Sequence, residues 1–100
     1  MATRNPDRCP THPGELLRED ILPAINAPKT IVAQALGISR QHLYDILAKR
    51  KPVTAEMAVR LAKAVGGSPE SWLRMQAAYD AWHAQRSVDV SNVRTLVAAG

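Results

Sequence analysis

The string Val32-Ala33-x3-Gly37-Ile38-Ser39-x3-Leu43-x2-Ile46 leaves few folds open. Two apolar stripes at helical spacing flank a glycine and a serine two residues apart, so two helices must meet across a turn of three or four residues. Gly37 supplies the positive φ that closes the first helix, and Ser39 caps the second. Ala33 is small where the axes approach, Ile38 plugs the angle, and Leu43 with Ile46 seats the second helix on a core. The pattern predicts a helix-turn-helix over about residues 29–47, with Arg40, Gln41, Tyr44 and Asp45 turned away from the core. A ligand-free helical hairpin fits the same spacing, and charge separates the two readings.

The chain has 13 Lys and Arg against 9 Asp and Glu, a net charge of +4. The segment from Arg40 to Lys63 holds six cations (Arg40, Lys49, Arg50, Lys51, Arg60, Lys63) and only Asp45 and Glu56 as acids, so it carries the whole excess. A surface that meets phosphates has this distribution, and a solvated basic face is its plainer counterpart. The cluster Lys49-Arg50-Lys51 follows directly on the second helix, where a chain leaving the major groove passes the sugar-phosphate backbone.

One hundred residues suit one compact domain. Only four residues are aromatic and Phe is absent, which favours close-packed helices over strands, so an all-α fold of five helices is expected. Residues 1–12 are polar and proline-bearing and read as a flexible tail, 13–86 as the DNA-binding domain, and 87–100 as a C-terminal extension. Pro13 opens the first helix and Pro23 is expected to end it, with Ile25 tucked into the core. Thr54 caps a fourth helix that ends at Gly66-Gly67, and Ser68-Pro69-Glu70 marks the next start. Ser91 to Ala99 has the composition for one further short helix.

The fifth helix has two apolar sides, Trp72, Met75, Tyr79 and Trp82 on one and Leu73, Ala77, Ala81 and Ala84 on the other. Such a helix needs two packing partners. One is its own domain; a second copy of the chain meeting Trp72, Met75, Tyr79 and Trp82 is one candidate for the other, and full burial within the monomer is the alternative.

The single Cys9 excludes an internal disulfide. No apolar run reaches membrane-spanning length and Met1 to Pro10 is not signal-like, so a cytoplasmic protein without a membrane partner is expected. Cys9, His12, His42 and His83 match no zinc spacing, and no acid pair, nucleophile-base set or phosphate-cradling glycine loop is present. The expectation is a non-enzyme with no metal and no cofactor.

Arg40 and Gln41 stand first on the outward face, and both make paired base contacts, Arg to guanine and Gln to adenine. Tyr44 reaches a phosphate or a thymine methyl, and Asp45 accepts from cytosine or holds Arg40 or Lys49 in place. Lys29, Ser39, Lys49, Arg50, Lys51 and Thr54 are the candidate phosphate contacts.

The stretch from Ala33 to Ile46 resembles the helix-turn-helix of phage repressors. More widely, His12-Pro13-Gly14-Glu15-Leu16-Leu17, Ser39-Arg40-Gln41 and Ser68-Pro69-Glu70-Ser71-Trp72-Leu73-x2-Gln76-x2-Tyr79 are similar to HigA-type antitoxins. The resemblance covers about residues 12 to 82 and departs from the family's Leu-Ser entry into helix two, where this chain has Ala27-Pro28-Lys29. It implies a homodimer that binds operator DNA, represses its own operon and neutralises a HigB-type ribonuclease toxin. A stand-alone transcriptional regulator without a toxin is the alternative. The tail and the exposed side of helix one, including Arg18, Glu19 and Asp20, are the expected toxin side.

Overall fold

The computed structural model describes residues 7–98, and among these there is no strand. Five continuous helices form the domain. The first, α1, is built of three contiguous segments, α-helical Pro13–Leu16, π-helical Leu17–Ile21 and α-helical Leu22–Ile25. Then come α2 (Lys29–Leu36), α3 (Arg40–Leu47), α4 (Ala55–Val65) and α5 (Pro69–Ser87).

Local chemistry sets most of these boundaries. Ser39, Thr54 and Ser68 each accept the backbone N–H three residues on, satisfying a donor that the helix leaves orphaned; such a cap is worth about 1 kcal/mol. Ser71 returns the favour by accepting from the Ser68 N–H, so α5 begins in a reciprocal box. Gly37 sits at φ 72° and closes α2, with its own N–H on Gln34 and the Ile38 N–H on the Ala33 carbonyl.

Pro23 does not end α1, contrary to the expectation from its missing N–H. In the turn before it, the Leu22 N–H reaches back five residues to Leu17, and this wider winding eases the clash between the proline ring and the carbonyl four residues earlier. The helix therefore continues to Ile25, and Asn26 in the left-handed region stops it. Ile25 consequently points to solvent instead of tucking into the core.

The core gathers Leu17, Leu22, Val32, Ala33, Leu36, Leu43, Ile46, Leu47, Val53, Met57, Ala58, Leu61 and Trp72. Each of its larger side chains contributes about 1.5–3 kcal/mol by leaving water. Trp72, offered above as part of a dimer face, is 4% exposed and donates its indole N–H to the Gly66 carbonyl at 2.9 Å. It is sealed inside its own protomer because the Gly66-Gly67 turn folds back over it. Met75, Tyr79 and Trp82 follow as half-buried residues, so the Trp72 side of α5 largely faces its own domain and the alanine side, Ala77, Ala81 and Ala84, is the open one.

His12, the last residue of the expected tail, is 2% exposed. Its Nδ1 accepts the Gly14 N–H at 2.8 Å and its ring meets Tyr79 edge-on at 4.8 Å. The approach to α1 is thus packed on α5, and the Cys9 Sγ lies 3.5 Å from His83 Nε2; residues 1–6 of that tail lie outside the described residues. At the other end, 88–98 contains no helix. The expected short helix from Ser91 fails there because its apolar residues have nothing to pack on, Leu96 being 93% exposed; Ala99 lies outside the described residues.

Candidate nucleic-acid interface

Helix α3 is anchored on one side only. Leu43, Ile46 and Leu47 are buried, while Arg40, Gln41 and Tyr44 are exposed on the opposite stripe. Its N-terminal half is therefore open to a ligand along its length, and its C-terminal half is held by α1. Gly14 of α1 lies directly against the Ile46 backbone, and Arg18 of α1 donates to the Leu47 carbonyl at 3.0 Å. A cation on a C-terminal carbonyl suits the negative end of the helix dipole.

The chain after Leu47 turns back on itself. Lys49 takes a φ of 65°, in the left-handed region, and the Arg50 and Lys51 N–H groups both bond the Asp45 carbonyl, at 2.8 and 3.2 Å. That turn brings the basic cluster under the Asp45 side chain. Arg50 Nε and Nη2 each lie 3.0 Å from Asp45 Oδ1, Lys51 Nζ lies 3.6 Å from Oδ2, and Gln41 Nε2 donates to Oδ1 at 3.0 Å. Partial desolvation would raise the Asp45 carboxyl, but the hydrogen bonds from Gln41 and Arg50 and the charges of Arg50 and Lys51 outweigh it and hold it below the usual carboxylate range. Asp45 is thus a hub for its neighbours, with its side chain only 13% exposed. It engages Arg50 and Lys51, not the Arg40 or Lys49 expected from sequence, and both of its oxygens face protein donors.

Arg18, Lys29 and Arg50 surround a shallow concavity with Gln41 and Tyr44 on its wall. Arg18, read from sequence together with Glu19 and Asp20 on the exposed side of helix one, also borders this concavity because α1 crosses the end of α3. Nothing in the local sequence signals this, since Arg18 and Leu47 are 29 positions apart. Arg40 is exposed and forms no ion pair among the described residues. Lys49 pairs with Glu15 at 3.5 Å, Ser39 and Thr54 are exposed at their caps, and His42 is half-buried.

Arg60 leaves the basic set. Its guanidinium donates to the Leu36 carbonyl at 2.9 Å and pairs with Glu56 at 3.2 Å, capping the end of α2 beside Gly37. Among the described residues no group of three or more His, Cys, Asp or Glu is placed to hold a metal, and no helix is long and apolar enough to cross a membrane.

Two helices crossing at a Gly37 turn, the second seated by Leu43 and Ile46 and bordered by cations, define a helix-turn-helix protein of the phage-repressor class. A family model described as helix-turn-helix matches residues 30–73. Virulence-associated protein I of Dichelobacter nodosus is 37% identical over 82 residues, covering 82% of this chain and 76% of its own. Antitoxin HigA-1 of Vibrio cholerae is 33% identical over 79 residues, covering 79% and 74%. Among solved structures, an addiction module antidote protein of a HigA family from Coxiella burnetii superposes with a TM-score of 0.79 at 33% identity, over 90% of this chain and 100% of that one. Antitoxin GraA in complex with its operator gives 0.78 at 34% identity, over 97% and 100%. The chain belongs to the HigA-type antitoxin family of helix-turn-helix proteins.

Proposed function

We propose that this antitoxin-family protein binds operator DNA as a homodimer, represses the promoter it shares with a toxin, and neutralises a HigB-type ribonuclease toxin by forming a stable complex with it. The observation that carries the reading is the exposed stripe Arg40, Gln41 and Tyr44 on a helix bordered by Arg18, Lys29 and Arg50. Laid in the major groove, α3 presents Arg40 to guanine, Gln41 to adenine and Tyr44 to a thymine methyl or a phosphate. Lys29, Ser39, Lys49, Arg50, Lys51 and Thr54, with Arg18 added, hold the backbone. Solved relatives that carry operator DNA, GraA among them, support the DNA half of the reading.

Two recognition helices about 34 Å apart read half-sites one duplex turn apart. The open side of α5, carrying Ala77, Ala81 and Ala84, is the face assigned to the second copy.

The test is binding to duplex from upstream of the protein's own reading frame between about 50 and 200 mM salt, followed by co-purification with the short protein encoded beside it. Affinity falling linearly on a log-log plot and a stable complex with that protein are expected. Affinity indifferent to salt would remove DNA from the proposal. Duplex binding without any toxin partner would leave the stand-alone regulator.

A further inference from the structure

Gln41 on the exposed stripe of α3 and the half-buried Asp45 lie one turn apart, and their contact restricts what Gln41 can offer a base. A carboxylate only accepts, so the Gln41 atom 3.0 Å from Asp45 Oδ1 is the amide nitrogen. One amide hydrogen is thereby committed, and the other hydrogen and the carbonyl oxygen remain for a ligand. Arg50 donates to the same Oδ1 through Nε and Nη2, which holds the carboxylate in place. The amide therefore has one orientation.

Resting on the DNA-binding reading above, we infer that Asp45 is a positioning residue that sets Gln41 to select adenine over guanine in the major groove. Adenine presents N7 as acceptor beside N6–H as donor, matching one amide hydrogen and one carbonyl oxygen. Guanine presents two acceptors, N7 and O6, so an amide held in this orientation sets its oxygen against O6. Without Asp45 the amide turns over freely and offers two hydrogens to guanine, and the preference relaxes. The low proton affinity of the Asp45 carboxyl keeps it an acceptor at neutral pH.

The experiment selects from a randomised duplex library of about 20 base pairs, then measures single-base variants of the selected site. Gln41→Ala identifies the base pair that Gln41 reads. Asp45→Ala is expected to cut the adenine-over-guanine preference at that pair about tenfold, leaving preferences at other pairs unchanged. Asp45→Asn loses the same charge but keeps an oxygen where Gln41 and Arg50 both donate, so it is expected to retain the preference. Loss in Asp45→Ala with retention in Asp45→Asn separates orientation from electrostatics, since both variants gain salt-dependent affinity for all sequences. Should Asp45→Ala fail to fold, Asp45→Ser, too short to reach the amide, replaces it. An unchanged preference in folded Asp45→Ala or Asp45→Ser overturns the inference while leaving DNA binding intact. Absence of salt-dependent duplex binding by the wild-type protein overturns both.

Discussion

Gly14 and Ile46 are in backbone contact: a Cβ built on Gly14 would overlap the Ile46 carbonyl oxygen. The start of α1 thus presses on the end of α3 with no room for a side chain, although 32 positions separate the two residues in the chain. The tilt at which the recognition helix stands on the domain depends on this contact, on the Arg18 bond to Leu47 and on the core under Leu43.

Gly14→Ala tests the contact directly. The obstacle is backbone, not the flexible end of a side chain, so α1 and α3 must separate. A loss of about 1–3 kcal/mol is expected, with a fall in Tm of roughly 4–8 °C per kcal/mol for a domain of this size. Unchanged thermal unfolding would show that the two helices do not meet this closely.

Protonation of His12 should weaken the fold. Burial is the main cause that lowers its pKa below the ordinary 6.5, with Lys49 acting the same way against the opposing charges of Asp80 and Glu15. The unfolded chain then binds more protons than the folded one as pH falls below 6.5, so stability present above that pH is lost on the way down to the folded pKa. Protonated Nδ1 also ceases to accept the Gly14 N–H. Urea unfolding at about pH 7.5 and pH 5.5 should show a larger loss for the wild-type protein than for His12→Asn, which keeps an acceptor without a charge. Equal losses would assign the pH response to other groups.

Gln76, part of the family signature, supplies a bond whose partner no local sequence pattern announces. Its buried Oε1 accepts the Val53 N–H at 2.7 Å, and its Nε2 donates to Asp80 at 2.9 Å. Gln76→Leu keeps the bulk and leaves a buried backbone donor unpaired, a loss of about 1–3 kcal/mol. Hydrogen exchange should then accelerate at the Val53 amide first, and protection equal to wild type would place its partner elsewhere.

Cations near α3 should divide by whether they line its concavity, as Arg18 and Arg50 do and Arg60 does not. Arg18→Ala and Arg50→Ala are each expected to reduce the slope of log affinity against log salt by about one unit. Arg60→Ala should leave the slope unchanged and lower the melting temperature, because that guanidinium caps Leu36. A reduced slope in Arg60→Ala, or an unchanged one in Arg18→Ala, would redraw the interface.

The caps at Ser39, Thr54 and Ser68, the glycine turn at Gly37 and the inward stripe Leu43, Ile46, Leu47 were all legible in the order of residues. Each is settled within about one helical turn, where propensity, capping and periodicity act. The family signature was legible too, since His12-Pro13-Gly14 and Trp72 through Gln76 build the joints now seen around α1, α5 and Val53. Packing alone decided that Arg18 borders α3, that Arg60 serves a helix end and not the basic surface, that Trp72 belongs to the interior, and that Asp45 gathers Gln41, Arg50 and Lys51. The bonds of Arg18 to Leu47 and Arg60 to Leu36 close across 29 and 24 positions. A charged side chain carries no local mark of its eventual partner; which of several carbonyls or carboxylates it reaches is set by how the helices stack.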